Sequence, residues 1–263
     1  MIKLIACDLD GTVLDSKKVP DSGLKETVGK LREKGINFTL VSGRNEEIMD
    51  HFVDYFELDL PYVTNNGGNI YQRHKCLLND CSPQAYNNFI TRLLYENDIA
   101  FNLFAIEGIY GHSMTDFFEE RQGLFKKDRK LYTPDVDLSD WHIYKLTCDF
   151  AHHPEKETEV TEKIRKECPD LSFLRAEPHV YCANSATANK GEGLQRICDL
   201  IGISPEEVMA FGDNGNDLPM LKRAGIGVAM GNAQEDVRSQ VSYVCKDNDH
   251  NGVSEFLKGY FSL

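Results

Sequence analysis

Four short apolar runs constrain how this chain of 263 residues can fold. They lie in LIACD (4–8), INFTLVSG (36–43), VMAFGD (208–213) and IGVAM (226–230). Each is nearly continuous in apolar residues, which is the pattern of a strand covered on both faces. The stretches between them have helical spacing. Leu24, Val28 and Leu31 fall on one face of a helix over 22–34, and Gly35 stands where that helix stops. Ile48, Phe52 and Phe56 do the same over 45–56. Further on, 190–200 is helical up to Gly202, and Ser204-Pro205-Glu206-Glu207 opens a short helical turn with the spacing of a capping box. Helices over 218–224, 234–240 and 252–258 alternate with strands at 226–230 and 243–245. This alternation predicts an α/β fold, a doubly wound parallel sheet with helices on both faces.

The middle of the chain breaks the rhythm. A strand, an Asn-Gly turn and a returning strand are expected over 61–71. After Pro83 comes an amphipathic helix over 82–98, then strands at 100–105 and 141–150, a helix with a charged face over 154–167, and short strands at 171–175 and 180–183. These elements need not join the parallel sheet. They predict an inserted α+β domain over 82–185, with the core built from 1–81 and 186–263, a plausible size for each part.

Composition narrows the partners. The formal charge is −13, which disfavours a nucleic acid or an anionic membrane. It leaves room for a small anionic substrate, because a bound cation reverses the field locally. Neither an apolar run of membrane length nor a targeting segment is expected. The eight cysteines are scattered, without CxxC or zinc spacing, and read as reduced thiols of a cytoplasmic protein. Nothing in the sequence sets the oligomeric state.

The unusual polar residues stand where the predicted strands end. Asp8 and Asp10 close the first, Ser42-Gly43-Arg44 the second, Asn65-Asn66-Gly67 the third, and GDNGND (212–217), with Asp213, closes the strand at 208–211. Lys190 opens a helix. Ligands of open parallel sheets bind at these carboxyl ends. Strand alternation would point Asp8 and Asp10 the same way, and like charges that close require a cation. With Asp213 they form a set of hard oxygen donors suited to Mg²⁺, which keeps further positions for substrate phosphate. The Ser42 hydroxyl, the Gly43 N–H and the Lys190 ammonium are donors for that phosphate. Asp8 can then attack phosphorus to give an aspartyl phosphate, while Asp10 serves as acid and then base. Taken alone, several of these residues have plainer readings. Ser42 is a natural helix N-cap, and a double role is expected of it. Arg44 is either a solvated helix-start residue or a substrate contact, and it is carried as a substrate-binding candidate. Asn66-Gly67 is a hairpin turn first and a substrate neighbour second.

DLDGTVLD, VSGR, NKG and GDNGNDLPML, in that order, resemble the four motifs of the haloacid dehalogenase superfamily. The NGG turn, the late GVAMGNA and the inserted middle resemble its Cof-type, subfamily IIB branch with a C2-type cap. The resemblance covers roughly 1–80 and 186–260 and implies a Rossmann-like core. It implies that Asp8 is nucleophile and metal ligand, that Asp10 is acid/base and binds metal through its backbone carbonyl, and that Asp213 is the third ligand. It also implies that the Leu9 N–H and Asn216 contact phosphate, that Lys190 pairs with phosphate and Asp8, and that Asp217 orients Lys190 or a metal-bound water. The expectation is a magnesium-dependent phosphatase acting on a small phosphorylated metabolite, a sugar phosphate or a phosphorylated cofactor, with the cap closing over the site. A phosphomutase, or a receiver-like phosphoacceptor domain, is the alternative.

Overall fold

The computed structural model describes residues 1–122 and 128–263. The chain forms two compact units, 1–78 with 189–263, and 79–188. The first runs β1 (Leu4–Cys7), α1 (Leu24–Glu33), β2 (Asn37–Leu40), α2 (Glu46–Tyr55), β3 (Tyr62–Thr64), β4 (Asn69–Gln72) and β5 (Lys75–Asn79), the last of which ends at the junction of the units. The second holds α3 (Asn87–Glu96), β6 (Ala100–Ala105), β7 (Gly108–His112), α4 (Asp116–Gln122), β8 (Arg129–Leu131), β9 (Ile143–Asp149), α5 (Glu157–Glu167), β10 (Leu171–Glu177) and β11 (Val180–Ser185). The chain returns to the first unit with α6 (Lys190–Ile201), β12 (Val208–Gly212), α7 (Leu218–Arg223), β13 (Ile226–Ala229), α8 (Glu235–Arg238), β14 (Tyr243–Val244) and α9 (Gly252–Phe261).

In the first unit five parallel strands lie in the order β14-β13-β12-β1-β2. The period of two sorts their side chains into two cores. Leu4 and Ala6 pack with Val208 and Ala210 under α6 and α7. Ile5 and Cys7 pack with Phe38, Leu40, Met209 and Phe211 against the opposite layer, which includes α1 and α9. Both faces of β1 are therefore dry, and each large side chain so buried contributes about 1.5–3 kcal/mol. A polar residue in these runs needs an internal partner. Thr39, fully buried in β2, has one, because its hydroxyl donates to Pro61 O at 2.6 Å.

The carboxyl ends of the strands are held in step by backbone bonds. Asp8 N–H donates to Phe211 O at 3.0 Å, Val41 N–H to Cys7 O at 2.9 Å, and Ser42 N–H to Val63 O at 3.0 Å. A parallel bridge between Val41 and Val63 brings in β3, which belongs to a small separate sheet β3-β4-β5. Ser42 does not cap α2 as expected. Asn45 does, accepting the Ile48 N–H, since α2 begins only at Glu46 and Asn45 is the residue before it.

The second unit is a six-stranded sheet ordered β10-β11-β9-β6-β7-β8. Its pairs are antiparallel except β7 with β8. Helices α3 and α5 contribute Ile90, Leu94, Val160 and Ile164 to its core. Among the described residues no helix is long and apolar enough to cross a membrane, and all eight cysteines are free thiols.

Candidate active site

The first residue past β1 is Asp8, which is 5% exposed. Its Oδ1 accepts from Lys190 Nζ at 2.6 Å, and the same ammonium donates to Asp217 Oδ1 at 2.5 Å. Lys190 is the first residue of α6, whose N-cap is Asn189, and it is 1% exposed. A lysine at a helix N-terminus opposes the helix dipole, and a buried one has to be paired. Burial works against its charge, but the Asp217 and Asp8 carboxylates outweigh burial and hold the ammonium more strongly protonated than usual.

Asp217 is fully buried and has both oxygens engaged. Oδ1 takes Lys190, and Oδ2 accepts the N–H groups of Asp213 and Asn214, each at 2.9 Å. It thereby ties the turn after β12 to the lysine. Asp213 stands beside it, with Oδ1 accepting from Thr12 Oγ1 at 2.9 Å. Carboxylate oxygens of Asp8, Asp213 and Asp217 all lie within 4.8 Å of one another. Burial, then the charge of Asp217, pushes Asp8 up to about 8 and Asp213 up to about 6, with Lys190 countering at both. One ammonium thus faces three acids. The donors are hard oxygens, and two of the acids resist ionisation, so the cluster fits a small divalent cation. Gly11 makes this proximity feasible. Its φ is +77°, and a Cβ there would stand 2.5 Å from Asp213 Oδ2.

Asp10 departs from the expected arrangement. β1 ends at Cys7, so the alternation that would align Asp10 with Asp8 does not extend to it. Its carboxylate is instead gripped by Arg44, Nε to Oδ2 at 2.6 Å and Nη2 to Oδ1 at 2.7 Å, with Lys18 Nζ on Oδ1 at 2.8 Å. Burial raises the Asp10 pKa, but Arg44 and then Lys18 outweigh it and hold the group below the usual carboxylate range. Arg44, expected as a substrate contact, spends its fork on Asp10, with its guanidinium 5.6 Å from the centre of the Phe52 ring.

The remaining candidates line the neighbouring strand ends. Ser42 is buried, and its Oγ accepts the Arg44 N–H at 3.1 Å. Gly43 follows it in the turn to α2. Leu9 is buried between the two acids, and its carbonyl accepts from Leu14 N–H at 2.8 Å. Asn216 is exposed, and its Nδ2 donates to Asn66 Oδ1 at 3.0 Å. Sequence reasoning gave no role to Thr12 and Lys18. Thr12 was signalled by DGT directly after the acid pair, whereas nothing in the local pattern marked Lys18.

A sequence profile described as haloacid dehalogenase-like hydrolase matches residues 5–257. The chain is 26% identical to the 5-amino-6-(5-phospho-D-ribitylamino)uracil phosphatase YwtE of Bacillus subtilis, over 97% of each protein. It is 28% identical to the pyridoxal phosphate phosphatase YbhA of Escherichia coli, again over 97% of each. Among solved structures, a haloacid dehalogenase-like hydrolase from Bacteroides thetaiotaomicron superposes with a TM-score of 0.83 at 28% identity, covering 99% of this chain and 100% of that one. The match to the family runs through both strand-end clusters and the inserted sheet, and the chain belongs to the haloacid dehalogenase-like hydrolases.

Proposed function

We propose that this chain is a magnesium-dependent phosphatase of the Cof-type branch, working in the cytoplasm and hydrolysing a small phosphorylated metabolite through an aspartyl phosphate on Asp8. The observation that carries this reading is the buried Asp8–Lys190–Asp217 array with Asp213 at its side. Such an array is expensive to bury, and its three carboxylates against one ammonium leave an excess of negative charge that a divalent cation cancels. The ion would be held by the Asp8 and Asp213 carboxylates and the Asp10 backbone carbonyl. When bound, it shields the approach of a carboxylate to a phosphate and stabilises charge on the transferring group.

The protein's own groups then divide the work. The Ser42 hydroxyl, the Gly43 and Leu9 N–H groups, Asn216 and Lys190 receive the phosphate oxygens. Lys190 also fixes the Asp8 carboxylate for attack on phosphorus. The new Asp8 O–P bond forms as the ester P–O bond breaks, and Asp10 donates its proton to the departing oxygen. In the second half Asp10 takes a proton from water as that water attacks phosphorus, the Asp8 O–P bond breaks, and inorganic phosphate leaves. To do this Asp10 has to leave Arg44 and Lys18 and take up a proton from solvent before the ester bond breaks. The two relatives named above act on a ribitylaminouracil phosphate and on pyridoxal phosphate, which makes phosphorylated cofactors and their precursors, beside sugar phosphates, the substrate classes to try first.

The test is phosphate release from a panel of such esters with and without Mg²⁺, beside Asp8→Asn. Metal-dependent turnover that falls by roughly a thousandfold or more in the variant is expected, since the variant lacks the nucleophile. Turnover that survives Asp8→Asn would remove Asp8 from its role and the mechanism with it.

A further inference from the structure

The Asn65-Asn66-Gly67 turn has no part in the mechanism above, yet it touches three of the segments that mechanism uses. Its backbone is unusual. Asn65, Asn66 and Gly67 have φ of 51°, 56° and 102°, three left-handed residues in succession. A two-residue hairpin loop needs at most two, and only glycine adopts that region without cost. The surroundings enforce it. Asn65 N–H donates to Arg44 O at 2.8 Å and Asn66 N–H to Ser42 O at 2.9 Å. Gly67 abuts the residue before Lys190, since a Cβ on it would stand 2.4 Å from Asn189 O. Backbone strain that neighbours hold in place so firmly is a pointer to function.

The strained conformation delivers one side chain. Asn66 Oδ1 accepts from Asn216 Nδ2 at 3.0 Å. The same carboxamide lies on Gly43, where a Cβ would be 2.9 Å from Oδ1 and 3.1 Å from Nδ2. Gly43 and Asn216 lie on different strand ends, 173 residues apart in sequence, and both are assigned to the phosphate. Asn216 is exposed on a short turn. Left alone, its amide would sample several orientations, and the cost of ordering it would fall on ligand binding. With one N–H given to Asn66, the amide is oriented and its second N–H is available to a ligand.

We propose that Asn66 is a positioning residue for the phosphate: from its own seat against the Gly43 turn it presets the Asn216 carboxamide before the ligand arrives. This deepens the phosphatase reading and rests on it. Asn66→Gly is the informative variant, because glycine keeps the left-handed backbone and removes only the carboxamide. Inhibition by inorganic phosphate, with Mg²⁺ present, is measured for the wild type, Asn66→Gly, Asn216→Ala and the double variant, together with kcat, KM and melting temperature. Asn66→Gly is expected to raise the phosphate inhibition constant and KM about tenfold, to change kcat by less than about threefold, and to melt within a few degrees of wild type. Asn216→Ala should raise the inhibition constant and KM at least as much, and the double variant should match Asn216→Ala, because Asn66 acts through Asn216. An unchanged inhibition constant in Asn66→Gly, or losses that multiply in the double variant, overturns the proposal. Failure of the wild type itself to release phosphate from any ester and to bind phosphate would instead overturn the phosphatase reading.

Discussion

The two units treat charge in opposite ways. The parallel-sheet unit buries Asp8, Lys190 and Asp217 almost completely and lets each satisfy the next. The antiparallel unit keeps its ionic contacts in water. His142 with Glu107, His112 with Asp98 and His179 with Glu157 all have at least one partner substantially exposed. Buried polar groups in that unit are neutral or locally bonded, as with Asn87, whose amide donates to two main-chain carbonyls at 2.9 Å. A buried ion array is a poor source of stability, since apolar packing would do as well. Its presence in one unit and its absence from the described residues of the other are what the proposed chemistry rests on.

Removing Lys190 is the most severe way to break this comparison. Lys190→Ala leaves Asp8 and Asp217 buried together without a cation, which is expected to cost about 3–5 kcal/mol of stability in urea unfolding and to eliminate phosphate release. The loss should be smaller when Mg²⁺ is present during unfolding. Should Lys190→Ala unfold like wild type, the array would not be the constrained element described above. Gly11→Ala comes next. The methyl meets both a left-handed φ and Asp213 Oδ2, so a loss of about 1–3 kcal/mol with a weakened response to Mg²⁺ is expected. Gly202→Ala is the control. Its φ is +71° but nothing lies within 4 Å of the added methyl, so only the backbone cost of about 1 kcal/mol should appear, with the metal response intact.

The same contrast explains what could be read from sequence. A strand that is dry on both faces must be an unbroken apolar run, and a group of acids at its end has few structural excuses. That is why β1, β2, β12 and β13, and the polar ends of the first three, were legible. The antiparallel unit shows one face of each strand to solvent, and its signal is weaker. β7 carries two glycines, and β8 is three residues long with two of them exposed, so neither stood out. β5 was missed for a similar reason, since none of its residues is fully buried. Within the site, alternation was carried to Asp10, three residues past the end of β1. It placed the Asp10 side chain beside Asp8, whereas the chain has already left the strand and Arg44 holds that carboxylate. Asn66 was read as a turn residue because an Asn-Gly pair between apolar runs gives that signal, while contacts to Ser42, Gly43 and Asn216 exist only in three dimensions.

Histidine chemistry on the surface of the parallel unit gives a smaller, pH-dependent effect. His74 lies between two acids one helical turn apart on α2, Nδ1 2.8 Å from Asp50 Oδ1 and Nε2 3.0 Å from Asp54 Oδ1. A neutral imidazole has one N–H, so both contacts are good only for the imidazolium. The bond to Asp50, followed in order by the burial that opposes it, leaves the His74 pKa raised above 6.5. More protons are bound folded than unfolded in that window. The stabilisation is therefore complete below 6.5 and is lost as pH rises through the raised value. The ring is 43% exposed, which limits the effect to under about 1 kcal/mol. An NMR titration of the His74 ring, and loss of this pH slope in His74→Gln, check it.

The smallest expected effect belongs to the second unit and has the opposite sign. Glu107 accepts from the His142 backbone N–H at 3.1 Å and lies 2.7 Å from His142 Nδ1. Burial raises the Glu107 pKa, but the bonds from His142 outweigh it and leave the group below 4.5. Its contribution is present above 4.5 and is lost as pH falls through the lowered value. Because both groups are solvated, Glu107→Gln should cost less than about 1 kcal/mol at neutral pH and nothing measurable in strong acid. Phosphate release from small esters should not respond to it. A loss of several kcal/mol, comparable with that of Lys190→Ala, would show that the inserted unit also depends on a constrained charge, and the contrast between the two units would no longer hold.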